Sequence, residues 1–420
     1  MDRAVPKSLF DRLVAVWRSK SRRYWFTAAL VLAVTLYGTP WVNEQLGLNS
    51  VRYHLFQITG TLTARPLRAR FTKIVAINNN DYINGSKGVS PVNRAYLGHI
   101  VTALKNNDVP IIALDFIFHF ADRRMSPVRV GDYSSVGNRD EVDTLIKAVI
   151  AAADDNKKII LPIDVVPVDG SDSYRIVPAI YQAYGICTKL VADGVWYSSG
   201  APGFELSPKA QKNINCGYIE LPFDPRQIPP LIDVNQNRRI ASLSLAVAAA
   251  RDPEALKVVG SSTKYTISLP PSRSEPFSAG QLIRGDEKAL DALRPSAVIV
   301  GGTWLAHDKP EPVDLHEGLI GRISGVLMHE NYTEGILDER LVTPLPDWVR
   351  FAIEAIVGIA FAIAFAAFSE FWMKLLLLVG IAVSLLLAQW LAFILFASLL
   401  DVFLPLVSLA LHSVLEKLLE

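Results

Sequence analysis

The sequence predicts an α/β extracytoplasmic domain with a mainly parallel sheet, plus four transmembrane α-helices. The 420 residues are 50% hydrophobic and their mean hydropathy is +0.27, which is more apolar than an ordinary soluble enzyme. The apolar residues concentrate near the two ends of the chain, in runs long enough to cross a bilayer. Between these runs, residues 43–347 have the composition of a soluble protein, and short strand-like segments alternate there with helical ones.

The first membrane segment is residues 24–42, YWFTAALVLAVTLYGTPWV, which carry no charge and have aromatic residues at both ends. A helix of about 20 residues crosses the hydrocarbon core, and tyrosine and tryptophan mark its limits. A cleaved signal peptide is the rival interpretation, but the run is long and no small-x-small cleavage site follows it. We therefore expect residues 24–42 to form transmembrane helix 1.

Residues 1–23 form a basic tail before this segment, with seven lysines and arginines against two aspartates. Basic residues beside the first span stay in the cytoplasm, so the chain beyond Val42 starts outside. Apolar residues recur in the tail at helical spacing: Leu9, Phe10, Leu13, Val14 and Trp17. This pattern is typical of an interfacial helix on anionic lipid or of a helix that docks a partner, and the sequence leaves both open.

Three further membrane segments are predicted after the exposed domain. Each is an apolar run with few charges, and their bounds are 348–368, 373–397 and 401–417. Four spans place both termini in the cytoplasm, with Lys374 and Lys417 inside and Asp401 outside, as the positive-inside rule requires. Glu354, within the second span, is either hydrated near the outer interface or a functional group at depth. We expect a multi-pass protein of the bacterial inner membrane.

Short apolar runs within residues 43–347 predict buried parallel strands. Four are rich in β-branched residues and apolar on both faces: Lys73–Asn79, Pro110–Phe118, Lys157–Val166 and Ala297–Thr303. A fifth strand-like run is Gly217–Phe223.

Segments of helical period lie between these runs. Helices are predicted at Asn93–Asn106, Glu141–Asp155, Arg238–Arg251 and Gly321–Leu337. Strands that alternate with such helices indicate βαβ units with right-handed crossovers, and therefore a mainly parallel sheet. The stretches 125–140 and 167–208 are rich in Gly, Ser, Asp and Pro, and we expect them to be long surface loops.

The two cysteines, Cys187 and Cys216, both lie in the exposed part of the chain, where the compartment permits a disulfide bond. The alternative is two unrelated buried thiols. The formal net charge of +1 gives no indication of a nucleic-acid partner, and none is expected.

One polar segment holds the densest set of potential metal ligands. Its members are His307, Asp308, Asp314, His316 and Glu317. Hard or borderline cations bind such groups, with Asp308, Asp314 and His316 as the candidate ligands, but the spacing fits no closed motif. A flexible polar loop is the other interpretation, and we expect no metal and no other cofactor.

The exposed domain contains a series of different short motifs. A strand end at Ala76–Asn79 (AINN) is followed by a helix start at Pro91–Arg94 (PVNR), and the next strand ends at Ala113–Phe116 (ALDF). The later motifs are Gly301–Gly302 and Gly325–His329 (GVLMH). Between the two groups stand Gly217, Asp224, Arg226 and Pro229.

In this order, with one span before and three after, the motifs resemble the CHASE type-two sensory domain, the extracytoplasmic input module of many bacterial kinases and cyclases. The resemblance runs from about Val51 to Leu337 and continues through the three closing spans, which are typical of that family. The family's Asp-Asp pair is Asn78-Asn79 here, which removes two negative charges. Family members commonly continue into a kinase or cyclase, and none follows here up to Glu420, so we expect the output device to be a separate protein, or there is none. Such modules often dimerise, and a homodimer is expected.

Five residues at predicted strand ends form the candidate ligand site: Asn78, Asn79, Arg94, Asp115 and Gly302. In open α/β sheets, ligands bind beyond the carboxyl ends of the strands. Short polar groups around a helix N-terminus suit an anionic or amide-bearing ligand. The other interpretation is an Arg94–Asp115 pair that ties the sheet together, and the sequence leaves both open.

Together these features predict a membrane-anchored sensor or regulatory subunit. Its outer domain would detect a ligand or protein, and the four helices would signal to a separate cytoplasmic or membrane partner. The alternative is a structural or scaffolding subunit of a multiprotein membrane complex, with the outer domain as docking surface. No enzyme is predicted, because the sequence shows no nucleophile elbow, phosphate-binding loop, HExxH helix or Cys–His pairing.

Overall fold

In a computed structural model the chain divides into two compact units, Ala64–Thr343 and a unit that combines Met1–Thr63 with Pro344–Glu420. The structure describes residues 67–87, 92–116, 135–168, 173–177, 189–190, 196–197, 206–221, 228–234, 238–260, 267–268, 272–305, 315–318, 321–343, 345–346, 348–349 and single positions between 352 and 395. The predicted spans 24–42 and 401–417, most of the other two spans, the basic tail and Glu354 lie outside these residues. Within the described part of the chain, no helix has the length and apolar character needed to cross a membrane.

The unit Ala64–Thr343 alternates strands and helices. Its described strands are β1 (Leu67–Arg68), β2 (Thr72–Ile77), β3 (Ile111–Asp115), β4 (Lys158–Pro167), β5 (Tyr174–Val177), β6 (Lys189–Leu190), β7 (Trp196–Tyr197), β8 (Ile214–Tyr218), β9 (Leu231–Val234), β10 (Arg238–Ala241), β11 (Ile267–Ser268), β12 (Ser272–Arg273), β13 (Phe277–Ser278), β14 (Ala297–Gly302), β15 (Leu315–Gly318), β16 (Gly321–Ser324) and β17 (Leu341–Val342). Its described helices are α1 (Arg94–Asn106), α2 (Ser135–Asp154), α3 (Pro208–Asn213), α4 (Leu243–Arg251), α5 (Ala255–Val259), α6 (Ala279–Ile283), α7 (Glu287–Leu293) and α8 (Gly325–Leu337), with a π-helical turn at Asp81–Gly85.

The main sheet has eleven described strands, and its centre is parallel. Six strands run in the order β13-β2-β14-β3-β4-β8, and every neighbouring pair among them is parallel. Antiparallel pairs occur only towards the margins, between β4 and β5, β9 and β10, β7 and β8, and β6 and β7 in the described part. The prediction of an α/β domain with a mainly parallel sheet is therefore confirmed.

Helices cover both faces of this sheet, and the strands alternate their side chains between two cores. Ile112 and Leu114 of β3 pack in the core that α1 and α2 cover, which we call the first face. Ile111 and Ala113 pack in the core that contains α4, which we call the second face. Strands buried on both faces are continuously apolar, which is why the runs in the sequence identified them.

Two predicted helices begin later than expected, because a strand occupies their first residues. Arg238–Ala241 pairs antiparallel with β9, and the helix starts at Leu243. The side chain of Ser242 accepts a hydrogen bond from the backbone N–H of Leu245 at 3.1 Å, which caps the helix and fixes its first residue. Similarly, Gly321–Ser324 forms β16, in a hairpin with β15, and α8 starts at Gly325.

The two stretches expected to be long loops contain regular structure as well. Helix α2 begins at Ser135, inside the first of them, and β5 pairs with the end of β4 inside the second. The fifth strand is Ile214–Tyr218, three residues earlier than its predicted start. The other strands and α1 lie within a few residues of their predicted bounds.

Candidate functional site at the carboxyl edge of the sheet

Four of the five predicted site residues, Asn78, Asn79, Asp115 and Gly302, lie at the carboxyl edge of the central strands. Ile77 at the end of β2 lies opposite Gly302 of β14, so Asn78 follows immediately at the same edge. Asp115 at the end of β3 lies opposite Gly301. The edge therefore brings together residues from three sequence-distant strands, as parallel pairing requires.

The amide oxygens of Asn78 and Asn79 are used within this edge. The backbone N–H of Asp81 donates to Asn78 Oδ1 at 3.0 Å, which closes the turn after β2. The backbone N–H of Leu305 donates to Asn79 Oδ1 at 2.5 Å and joins the segment after β14 to that turn. The two asparagines thus fix the loops of the edge through their amide oxygens.

Asp115 lies beside a histidine of α8. His329 Nε2 is 3.6 Å from Asp115 Oδ1, and the two side chains are only 1% and 9% exposed. The hydroxyl oxygen of Ser244, at the start of α4, lies 3.2 Å from His329 Nδ1. The contact therefore links β3 to two helices of the second face, α4 and α8.

A serine, a histidine and an aspartate in a row are also the groups of a hydrolytic triad. Here the Ser244 hydroxyl is completely buried and also donates to the backbone carbonyl of His329 at 3.1 Å. A nucleophile must be open to the substrate, so this arrangement is shaped to hold α4 and α8 against β3 rather than to attack a substrate.

Arg94 begins α1, on the first face of the sheet, and its side chain is buried. Asn93 caps the helix by accepting from the backbone N–H of Tyr96 at 3.0 Å. Asp115 continues the alternation of Ile111 and Ala113 and therefore belongs to the second face. The predicted Arg94–Asp115 pair would have to reach around the end of β3, and it remains a prediction.

Aromatic rings cover the edge above Gly302. The ring of Trp304 stacks on Tyr82, with centroids 4.8 Å apart and planes at 4°, and lies 6.5 Å from the ring of Phe116. A Cβ atom at Gly302 would come within 2.2 Å of the Trp304 ring, so only glycine allows this stack. Gly302 therefore has a packing role, and the sequence signal for it was the pair Gly301–Gly302 followed two residues later by tryptophan.

Asp81 is a buried acid at this edge that sequence reasoning did not select. Its carboxylate accepts from the hydroxyl of Ser278 at 2.8 Å and from the backbone N–H of Gly280 at 3.0 Å, which attaches α6 to the end of β2. Burial raises the pKa of the nearby Tyr96 phenol to about 12, and the charge of Asp81 adds to this rise while that of Arg284 opposes it.

Helix α8 connects this edge to the opposite edge of the sheet. Near its start, Val326 packs against Gly301, where a Cβ atom would lie 2.5 Å from the valine side chain. Near its end, the fully buried Glu334 carboxylate accepts from the backbone N–H groups of Arg70, Phe71 and Thr72 at 2.7–2.9 Å. The Thr72 hydroxyl donates to it as well, at 2.7 Å. One helix thus contacts the ends of β14 and β3 and the beginning of β2.

The remaining predicted sites are only partly within the described residues. Cys216 is in a disulfide bond; Cys187 lies outside the described residues, and the pairing of the two remains a prediction. Asp308 and Asp314 lie outside as well, and His316 is in β15. Across the described ranges, no group of three or more His, Cys, Asp or Glu side chains is placed to hold a metal ion.

Comparison with known proteins identifies the family of the chain. The family model of the CHASE2 domain matches residues 27–368, which is most of the sequence. No curated protein and no solved structure matches the chain. The match spans the α/β unit, with the sheet edge and the helix α8 just described. The chain belongs to the CHASE2 domain family, a family of extracytoplasmic sensory domains.

Proposed function

We propose that this protein is a membrane-anchored sensory or regulatory subunit. Its outer domain detects a ligand or protein outside the cytoplasm, and its membrane helices signal to a separate cytoplasmic or membrane partner. The family match supports the sensory role, since CHASE2 domains are extracytoplasmic input modules. The basic tail and the four apolar runs of the sequence support the anchoring and its orientation.

The observation that carries this proposal is the course of α8 across the sheet. Its His329 contacts Asp115 at the carboxyl edge, where ligands of open α/β sheets bind. Its Glu334 holds residues 70–72, near the start of the unit, and β17 closes the unit a few residues after α8 ends. A ligand that shifts His329 therefore acts on a rigid element that also holds the first and last segments of the domain. A signal passes if the ligand binds one position of α8 better than another.

Apolar side chains in the second unit support membrane anchoring. Val383, Leu387, Trp390, Leu391 and Leu395 are all exposed and all helical. Large apolar groups on the outside of a helix are expected where the helix faces lipid. We place the unit in the bacterial inner membrane, with both chain termini in the cytoplasm.

The proposal is tested first by what co-purifies with the chain. Purification in mild detergent followed by mass spectrometry should give a homodimer and a substoichiometric signalling protein. A constitutive assembly of fixed stoichiometry would instead favour the alternative, a structural subunit that docks partners through its outer domain.

A domain exchange then tests signalling itself. Residues 64–343 are replaced by an unrelated secreted fold, while the membrane segments stay unchanged. The activity or phosphorylation of the co-purified partner should become independent of external conditions. A partner that responds normally to the exchanged chain would disprove the sensory role.

A further inference from the structure

Helix α8 carries another buried carboxylate, Glu330, one turn before Glu334. Both side chains belong to residues that are completely buried. Glu330 accepts hydrogen bonds from the backbone N–H of Ser274, at 3.1 Å, and from the Ser274 hydroxyl. Glu330 thereby fastens the segment Ser272–Ser274 to α8, with help from Asn331, whose side chain accepts from the backbone N–H of Ser272.

This segment is the one that holds the beginning of the domain. Its strand β12 pairs in parallel with β1, so that Leu67 lies opposite Ser272 and Arg68 opposite Arg273. A few residues later, residues 70–72 are bound by Glu334. Glu330 and Glu334 therefore attach two adjacent segments to the same two turns of α8.

The two carboxylates differ in how well their charge is stabilised. Glu334 receives four hydrogen bonds, three of them from backbone N–H groups, which suits an anion. Glu330 receives two, from one residue. Ionisation of both places two negative charges one turn apart in a buried site, which is costly unless a cation lies between them.

The charged groups that act directly on Glu330 are Glu334 on α8 and Lys73 on β2. The neighbouring segments also carry His329 on α8, Asp338 and Arg340 after α8, and Arg70 before β2. His329 contacts Asp115, and Arg340 bonds to Asp338 at 3.2 Å and to the Ser272 hydroxyl at 2.7 Å. Arg70 lies 3.8 Å from Asp338, and the Lys73 ammonium donates to the carbonyl of Ala69.

Burial raises the pKa of Glu330 to about 7. The hydrogen bond from the Ser274 hydroxyl opposes this rise, the negative charge of Glu334 adds to it, and Lys73 gives a smaller opposing effect. The protonation of this carboxyl therefore changes in the range around neutral pH, where an ordinary glutamate is already fully ionised.

We propose that Glu330 is a proton-binding site, and that the attachment of the segment Ser272–Ser274 to α8 therefore depends on the pH of the surroundings. The protonated carboxyl stays buried and bonded to Ser274. The ionised carboxylate gains stability by reaching water, which requires the segment and its partner β1 to move away from α8. This inference rests on the proposed sensory function and names the proton as one of its inputs.

Hydrogen exchange with mass spectrometry on the full chain in lipid nanodiscs tests the proposal. Peptides that cover residues 67–74 and 272–278 are followed at pH 6 and pH 8, with rates corrected for intrinsic exchange. The protection of both segments should fall about tenfold from pH 6 to pH 8. This is the change expected for a carboxyl whose pKa is about 7 when it is buried and that of an ordinary glutamate when it is exposed. Glu330→Gln keeps the shape and the hydrogen-bonding capacity of the protonated side chain. In this variant the protection of the two segments should be equal at both pH values.

Glu275→Gln is the matched control, because Glu275 is exposed and directly follows Ser274. It removes a negative charge from the same segment and should leave the wild-type pH dependence intact. Ser274→Ala removes a bond that stabilises the carboxylate, so it should shift the midpoint to higher pH. This second variant decides the question if circular dichroism shows that Glu330→Gln does not fold.

Equal protection of the wild type at both pH values, or an undiminished pH effect in Glu330→Gln, would overturn the proposal. The exchange measurement needs neither ligand nor partner, so it stands apart from the test of the sensory function. A partner that ignores the domain exchange contradicts the sensory function alone, whereas a flat exchange profile contradicts only the role of the proton.

Discussion

His329 and Asp115 join the last helix of the domain to the end of a central strand, with Nε2 and Oδ1 3.6 Å apart and both side chains almost completely buried. The two residues are far apart in the sequence and belong to separate motifs, the strand end ALDF and the helix start GVLMH. Their contact gives these motifs a common role, which is to hold α8 in a fixed position on the sheet.

Removal of either partner should destabilise the domain. Asp115→Ala or His329→Ala should each cost about 3 kcal/mol, the lower end of the range for a broken buried pair, because the distance is long. This corresponds to roughly 6–12 °C in the thermal midpoint. The double variant should cost less than the sum of the two, as for directly interacting residues. The measurement is near-ultraviolet circular dichroism of the full chain in detergent.

The control for this cycle is the exposed pair Asp291–Arg294. An exposed ion pair contributes less than about 1 kcal/mol, so Asp291→Ala should lower the midpoint only slightly. Strictly additive effects of Asp115→Ala and His329→Ala would show that the two side chains do not interact.

Glu334→Ala should be among the most damaging single changes in the chain. It leaves three backbone N–H groups of residues 70–72 without their acceptor, and each buried unsatisfied group costs about 1–3 kcal/mol. Glu334→Gln keeps one acceptor oxygen and should be intermediate, while the exposed Glu287→Ala should be close to neutral. Soluble yield and thermal midpoint measure the series, and equal stability of the alanine variant and the wild type would contradict it.

The stability of the domain should rise as the pH falls from about 7 towards 4.5. The folded pKa of Glu330 is raised to about 7 from 4.5, so the folded state binds a proton more tightly than the unfolded state does. The stabilisation is complete below the unfolded value and is lost as the pH rises through the folded value. The difference amounts to about 3 kcal/mol.

Denaturant titration at a series of pH values checks this expectation. Glu330→Gln should flatten the profile between pH 5 and 8 and should be more stable than the wild type at pH 8. A wild-type profile that rises from pH 5 to 8 in parallel with that of the variant would contradict it.

Gly302→Ala should disrupt the aromatic stack at the carboxyl edge. The added methyl group would lie 2.2 Å from the Trp304 ring, so the ring must leave Tyr82. We expect a loss of near-ultraviolet circular dichroism and a red shift of tryptophan emission. At Gly380, no described atom lies within 4 Å of an added Cβ, so Gly380→Ala is the matched control and should leave both spectra unchanged. An unchanged spectrum in Gly302→Ala would show that the stack tolerates the methyl group.

The orientation in the membrane can be tested with single cysteines. Asp291→Cys, at an exposed position of the domain, should react with a membrane-impermeant maleimide in intact spheroplasts. Ser8→Cys, in the basic tail, should react only after the membrane is permeabilised. The native Cys216 is in a disulfide bond and does not compete for the reagent. Labelling of Ser8→Cys in intact spheroplasts would reverse the proposed topology.

The sequence predicted the central strands well because buried parallel strands have a strong local signal. β2, β3, β4 and β14 are continuous apolar runs, and each was found within two residues of its observed start. The helix boundaries at Leu243 and Gly325 were missed, since RRIA and GRIS are compatible with helical period as well as with short strands. Pairing with β9 and β15 decides between the two, and pairing is not a local property.

The contacts of the candidate site could be predicted from the sequence even less well than the helix boundaries. The edge position of Asn78, Asp115 and Gly302 followed from the rule for parallel strands. The contacts of His329 with Asp115 and of Glu334 with residues 70–72 join parts of the chain that lie more than 200 residues apart. No periodicity encodes such contacts. In α8 the polar residues His329, Glu330 and Glu334 are buried together with the apolar ones, which only the structure shows.

The position of β14 between β2 and β3 has a consequence for biosynthesis. The ribosome makes β2 and β3 first, but they are not neighbours in the sheet, and each needs β14 at its side. The centre of the sheet therefore stays open until Ala297–Gly302 has emerged, and the anchor formed by Glu334 comes later still. Nearly the whole domain must be translated before the centre of its sheet can close, so β2 and β3 each lack a neighbour for most of the synthesis of the domain.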